Sequence, residues 1–379
     1  MAIPMRFTLS ALSLGLLACL GCTKPQPPLP PPQPLPSQLS QPNLQLMEQP
    51  INPTLLPNLL KSGPLAETTT QWNPHLLIGK LKADSARRPT DLNLYSLNAI
   101  YADSNQNQYQ DAEDKGFFNP ASTIKVGIAA LVLEKLNQLD LPRDSTYQFA
   151  NSNTPISIAE DIRKALIISD NDATNRLIQF LSFDALNHTI QAKAIPSFMV
   201  NRLMLDRGTL TDSPAITLQS GDTTQQLPAA AATESYPCWE KDQTLGNCAT
   251  AQDLLSILTR ITYPQWFPPE QSFNLRPGDR AWLQETLSQT PQQAGFPGYA
   301  DNYCRFLQPL SQQQGWANLQ SKCGVALFSH TYVDTSVIQT QQGDQYFVIL
   351  ALSPPRSLSE AQVLHKMNQI LAQLLPQLP

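Results

Sequence analysis

Residues 118–139 read Phe118-Asn119-Pro120-Ala121-Ser122-Thr123-Ile124-Lys125, followed by VGIAALVLEKLNQL to Leu139. From Ser122 onward the stretch is apolar nearly all round, so it predicts a helix buried on most sides rather than one lying on a surface. Leu92–Asp103 alternates like a strand, and Asn105–Asp114 is polar, as a turn and a ragged strand. Helices are predicted around Ile156–Leu181, Thr250–Ile261 and Asp279–Leu287. Gly324–Leu352 holds two strand-like runs joined by Gln342-Gly343-Asp344, a hairpin signal. Ser357–Leu375 closes the chain as an amphipathic helix with Ser357 or Ser359 as its N-cap. Strand, helices, strands, helix is an α+β order: an antiparallel sheet flanked by helices, with an inserted all-helical lobe. Gly208–Asn247 has little periodicity and reads as a long loop, of the kind that is functional or mobile.

The whole chain has 379 residues, 41% of them hydrophobic, enough for a substantial core. Its 25 basic and 30 acidic residues leave a net charge of −5 with no long basic run, which argues against a nucleic-acid partner. The four histidines, His75, His188, His330 and His365, form no H-x-H or H-E-x-x-H spacing. No metal site and no cofactor are therefore expected.

The N-terminus reads as an export signal. Arg6 precedes an apolar run, Phe7–Ala18, too short to span a bilayer. Its end resembles a bacterial lipobox in two registers, one placing the acylated cysteine at Cys19 and the other at Cys22. Cys22 is preferred, because cleavage before it leaves four cysteines in the body, an even set for an oxidising compartment. Of the 34 prolines, 13 fall between Pro25 and Pro64, a composition that extends as polyproline II and spaces its cargo from a surface. The expected organisation is a signal peptide over 1–21, a lipid-anchored disordered linker over 22–66, and a two-lobed catalytic domain over 67–379. The protein would be a monomer held through its lipid on the periplasmic or cell-surface side of a bacterial membrane.

Three short motifs carry the chemistry. Ser122 and Lys125, three apart, would share a face at a helix N-terminus, where an amine could accept the hydroxyl proton and backbone amides favour an oxyanion. Burial against an apolar helix lowers a lysine's proton affinity and suits it to act as a base. Ser169-Asp170-Asn171 follows a helical run, and Lys322-Cys323-Gly324 opens a C-terminal strand. Singly each recurs by chance; in this order, on these elements, they do not.

Together they resemble the serine β-lactamase and penicillin-binding protein superfamily, class A β-lactamases most of all, from about Leu92 to the C-terminus. Phe118–Lys125 resembles F-x-x-A-S-x-x-K, and Ser169–Asn175 keeps an Ala and a second Asn at class-A-like spacing. Thr250-Ala251-Gln252-Asp253-Leu254 resembles the helix after the omega loop. The resemblance implies Ser122 as nucleophile, Lys125 as general base and Ser169 as proton relay to the leaving nitrogen. It implies Asn171 as a ligand for the substrate's amide, and Lys322 as positive charge for a carboxylate. It also implies an oxyanion hole from the N–H groups of Ser122 and Val325, beside Gly324. The substrate would be a β-lactam or a peptidoglycan-derived peptide. The alternatives are a D,D-carboxypeptidase-like acyl hydrolase and a non-catalytic peptidoglycan-binding lipoprotein.

Two departures matter. Asn201–Thr209 echoes the omega-loop approach, but Gly208 and Thr209 stand where Trp and the water-activating Glu are expected. Asp206, Asp212, Glu234 and Glu240 are the candidate replacements, Asp206 alternatively pairing with an arginine, and deacylation would be slow. Cys323 replaces a hydroxyl residue, and no arginine occurs from Val325 to Gln342, where His330 could compensate or be simply a strand residue. Spacing favours disulfides 304–323 and 238–248 among the three possible pairings.

Overall fold

The computed structural model describes residues 51–52, 72, 74–83, 89–97, 118–206, 211–236, 238, 246–326 and 330–379. The signal sequence, Cys19, Cys22, Asn105–Asp114, Gly208, Thr209 and Glu240 lie outside them. In chain order the first elements are β1 (Ile51–Asn52), β2 (His75–Ala83), β3 (Pro89–Leu97), α1 (Lys125–Gln138), β4 (Thr146–Phe149) and β5 (Ile156–Ser157). Then come α2 (Ile158–Ile167), α3 (Asn171–Leu181), α4 (Phe183–Ala192), β6 (Met199–Val200), β7 (Ile216–Ser220), β8 (Thr223–Leu227) and β9 (Asn247–Cys248). The last are α5 (Ala251–Thr262), α6 (Pro277–Ser288), α7 (Gln308–Gln314), β10 (Asn318–Ala326), β11 (Thr331–Gln339), β12 (Gln345–Leu352) and α8 (Glu360–Leu374).

Six strands form one sheet in the order β1-β3-β2-β12-β11-β10. All neighbours run antiparallel except β1, which lies parallel to β3 at Leu94 and Tyr95. Successive side chains alternate faces. Leu76, Ile78, Val348, Leu350 and Leu352 meet Val363, Met367, Ile370, Leu371 and Leu374 of α8. On the other face Leu77, Phe347, Ile349 and Ala351 join a core shared with α1 and α5. With both faces covered, β12 has no polar face to present, and so reads as an unbroken apolar run. Ser359 caps α8 in a capping box with Gln362, settling the choice between two serines.

Helix α1 is buried along most of its length, as its composition requires. At Gly127 a Cβ would stand 2.8 Å from Phe198 Cζ, so the glycine lets that ring lie against the helix. The run expected over Ile156–Leu181 is two helices. Ser169 takes a left-handed conformation, φ 57°, and Asp170 then caps α3 by accepting the Ala173 N–H at 2.7 Å. Arg176 of α3 grips the buried Asp161 of α2 through two 2.7 Å bonds, and Tyr147 donates to the same carboxylate. Asp161→Ala leaves the guanidinium and phenol without that acceptor. It is expected to cost about 2–3 kcal/mol, read as a lower urea midpoint at unchanged slope.

Three expectations need correction. Ile51–Asn52, inside the stretch assigned to the disordered linker, forms the outermost strand of the sheet. Gly208–Asn247 is not all loop: β7 and β8 pair as a hairpin in a four-stranded sheet ordered β5-β4-β7-β8. The turn is Gly221-Asp222 with Gly221 at φ 54°, a short-hairpin signal that Thr- and Gln-rich strands conceal because little of β8 is buried. Lys322-Cys323-Gly324 starts at the middle of β10, which begins at Asn318, and not at the start of the strand.

Candidate active site

The chain enters α1 through a 3₁₀ turn, Ala121–Ile124. Asn119 Oδ1 accepts the Ala121 N–H at 2.9 Å, and the Pro120 carbonyl accepts from Thr123 through N–H and hydroxyl at 3.0 and 2.6 Å. Ala121 sits at φ 47°, a region that costs a non-glycine residue about 1–3 kcal/mol and persists where surrounding contacts hold it. Ser122 is thereby left half-buried on the floor of a cleft of about 510 Å³. Ser169 and Asn171, Arg202 and Leu205, and Cys323 and Val325 also line it.

Lys125 is 1% exposed. Its Nζ donates to Ser169 O at 2.7 Å and Asn171 Oδ1 at 2.8 Å, with longer contacts to Ser169 Oγ and Asp170 O, both 3.3 Å. The left-handed turn at Ser169 supplies that carbonyl. Burial lowers the Lys125 pKa to about 7, against the opposing charge of Asp170. Lys322, from β10, is fully buried and donates to Ser169 Oγ at 3.0 Å, Cys323 O at 2.9 Å and Cys304 Sγ at 3.1 Å. Burial first, then the charges of Lys125 and Arg305, hold its pKa well below the usual lysine value, while Asp334 opposes them. Asp334 is itself buried, and burial pushes its pKa up to about 6. One hydroxyl oxygen thus bridges two amines, accepting from both.

At Gly324 a Cβ would lie 2.6 Å from the Ser122 nitrogen, 2.8 Å from Ala121 Cβ and 3.0 Å from the Pro120 carbonyl oxygen. Only a residue without a side chain lets the edge strand press against the turn that carries Ser122. Both disulfides favoured by spacing are present, Cys238–Cys248 and Cys304–Cys323.

A family model for β-lactamase enzymes matches residues 88–375. The chain belongs to the β-lactamase enzyme family. No curated protein matches it. Among solved structures, a β-lactamase from Burkholderia ambifaria is 16% identical, with 85% of this chain and 98% of that one covered at a TM-score of 0.52. PBP-A is 15% identical, with 87% and 98% covered at 0.54. The class A β-lactamase described as the last common ancestor of Gram-negative bacteria is 14% identical, with 86% and 98% covered at 0.53. At these identities the likeness speaks for the fold.

Within this β-lactamase-family chain the expected site residues converge, with one correction. Ser122 Oγ makes no hydrogen bond to Lys125 among the described residues. Lys125 Nζ turns instead to two carbonyls, the Asn171 amide oxygen and the Ser169 hydroxyl. Asn171 therefore positions Lys125 as well as lining the cleft, and its NH₂ group remains a donor. Asn175 brackets Met204 through N–H and carbonyl at 2.6 and 3.3 Å, and so pins the omega-like segment.

The candidate acids disperse. Asp212 accepts the Ala232 N–H at 2.9 Å, while Glu234 pairs with His188 at 2.8 Å and accepts from Tyr236. Neither lines the cleft. Arg202 clasps the carbonyl oxygen of Asp206, and Asp206 does not line the cleft either. His330 pairs with the Pro354 carbonyl at 2.9 Å and packs edge-on against Tyr332, so it does not stand in for an arginine. Sequence reasoning missed Tyr303, Phe306, Glu360 and Leu364, which complete the cleft. Tyr303 had a signal, adjacency to the disulfide cysteine Cys304; Glu360 reads only as the first residue of a helix.

Proposed function

We propose that the chain is a serine hydrolase of class A β-lactamase type that opens β-lactams through an ester on Ser122. The observation that carries this reading is Ser169 Oγ, held 3.3 Å from Lys125 Nζ and 3.0 Å from Lys322 Nζ in the cleft that Ser122 lines. As Ser122 Oγ attacks the carbonyl carbon, neutral Lys125 takes its proton. That transfer tightens only with substrate bound. The Ser122 and Val325 N–H groups receive the oxyanion. Ser169 passes a proton, replaced from Lys322, to the leaving nitrogen, and the C–N bond breaks.

Hydrolysis of the ester is slow in this reading. Among the described residues lining the cleft, Glu360 is the one carboxylate, and it comes from α8 rather than from the omega-like segment. Slow release favours penicillin-binding behaviour, and with it a D,D-carboxypeptidase-like action on cell-wall peptides, over rapid turnover. Export and lipid attachment at Cys22 belong to the same proposal. Two disulfides support an oxidising compartment.

Intact-mass measurement after exposure to a fluorescent penicillin tests this. A one-to-one adduct is expected, persisting for minutes or longer. Rapid turnover would replace slow release with efficient deacylation, and no adduct at any concentration sinks the acyl-serine reading. The adduct should form faster as pH rises. A base must be neutral to accept a proton, and the Lys125 pKa is lowered from 10.5 to about 7. Labelling rate is therefore expected to climb about tenfold per pH unit below 7 and level off above it, read by stopped-flow between about pH 5 and 9.

A further inference from the structure

The two disulfides stand in different surroundings. Cys238 and Cys248 pack with Met199 and Tyr236, and neither lines the cleft. Cys304 and Cys323 both line it, beside Ser122 and Ser169. They are 9% and 4% exposed, against 1% for each cysteine of the other pair. An incoming thiol therefore has a cleft of about 510 Å³ from which to reach Cys304–Cys323. Thiol–disulfide exchange needs such access, and it runs faster when the departing sulfur is a stable thiolate.

Lys322 supplies that stability. Its buried Nζ stands 3.1 Å from Cys304 Sγ, 2.9 Å from the Cys323 carbonyl and 3.0 Å from Ser169 Oγ. The charges that face it are Lys125 and Arg305, with Asp334 opposing them. An amine in so dry and cationic a place holds an extra proton poorly while its sulfur neighbour is a neutral disulfide. A thiolate at Cys304 reverses this, because ammonium and thiolate then form an ion pair. The backbone adds a further constraint. Cys304 sits at φ 51°, which a non-glycine residue keeps only where surrounding bonds hold it, and the disulfide is one of them. On the other side of the bond, Cys323 directly precedes Gly324, the residue that presses β10 against the Ser122 turn.

We propose that Cys304–Cys323 is a thiol-exchange site for dithiol reductants, and that opening it slows acylation of Ser122 by drawing Lys322 away from Ser169. A thiolate of the reductant attacks Cys323 Sγ, the S–S bond breaks, and its electron pair leaves on Cys304 Sγ. The reductant's second thiol then displaces Cys323. The dithiol ends as a disulfide, oxidised by two electrons, and the protein takes up two electrons and two protons. One proton rests on Cys323 Sγ and the other on Lys322, facing the Cys304 thiolate. That charged acceptor outcompetes the neutral Ser169 hydroxyl for the Lys322 N–H groups. Ser169 loses its 3.0 Å bond, and β10 loses its tie beside the Ser122 turn. The effect on acylation rests on the acyl-serine reading above, whereas the exchange itself does not.

Dithiothreitol is the probe, added to the full chain under native conditions, with samples quenched by N-ethylmaleimide and mapped by mass. Cys304 and Cys323 are expected to become alkylated at least about tenfold sooner than Cys238 and Cys248. In the protein reduced at this bond, one thiol should titrate well below the ordinary thiol range, read by ultraviolet thiolate absorbance. Lys322→Gln should raise that titration and slow exchange at Cys304–Cys323 about tenfold, with the pace at Cys238–Cys248 unchanged. Labelling by a fluorescent penicillin should fall about tenfold on reduction and return on reoxidation with a small-molecule disulfide. Equal alkylation of the two disulfides overturns the site, as does exchange unmoved by Lys322→Gln. Unchanged labelling with Cys304 and Cys323 reduced overturns its control of acylation. If neither redox state is labelled, the acyl-serine reading fails and the control with it, a result distinct from equal labelling in both.

Discussion

Ser122→Ala is expected to abolish penicillin labelling, lowering the rate of adduct formation by at least about 10³-fold. In the proposed reading the covalent step needs the Ser122 oxygen itself, and the two lysines and Ser169 are assigned to moving protons. Ser169 is the other hydroxyl on the cleft floor, but it is tied to both amines by hydrogen bonds of 3.3 and 3.0 Å. It also sits in a left-handed turn whose geometry serves Lys125. A peptide map of the labelled wild type should place the adduct on Ser122, and the alanine variant should carry none. Stability should move by no more than about 0.5 kcal/mol, because the half-buried Oγ makes no hydrogen bond with a described residue. Labelling that survives at the wild-type rate would assign the nucleophile elsewhere.

Gly324→Ala is expected to slow adduct formation about 10²-fold without removing any titrating group. The new Cβ would lie 2.6 Å from the Ser122 nitrogen and 3.0 Å from the Pro120 carbonyl, both backbone atoms that cannot step aside as a flexible side chain would. Either β10 retreats or the 3₁₀ turn shifts, and each moves the N–H groups assigned to the oxyanion away from the reacting carbon. Misplacement on the ångström scale costs rates of this order. The overpacking itself should take about 1–3 kcal/mol from stability, read in urea. Gly298→Ala is the control, since its Cβ would meet nothing within 4 Å and should alter neither property. A Gly324→Ala protein labelled at the wild-type rate would remove the close approach of β10 from the mechanism.

Much of the fold was legible along the chain. The apolar girth of Ser122–Leu139 demanded a helix at the centre, and α1 is buried on most sides. The period of Ser357–Leu375 gave α8, and cysteine spacing gave both disulfides. The Gly221-Asp222 hairpin escaped notice because its second strand is mostly exposed and so has no apolar alternation to announce it. The acids of the long segment drew attention as possible bases. In the fold Asp212 holds the end of the hairpin segment and Glu234 holds His188.

Sequence alone determined which groups are close along the chain: a serine three residues before a lysine at a helix start, a Ser-Asp-Asn triplet after a helical run, and a glycine two residues after Lys322. Tertiary structure decided where those groups point. Lys125 reaches Ser169 across 44 residues of chain, and Lys322 reaches the same hydroxyl across 153. Those distances close only because the edge strand, the α2–α3 turn and α1 pack together. The same packing brings Tyr303 and Glu360 to the cleft wall and leaves Lys125 facing carbonyls instead of Ser122. Local spacing constrains neighbours within a turn of helix or a pair of strand residues, whereas the assembly of a site from four separate elements is set by how their apolar faces are buried.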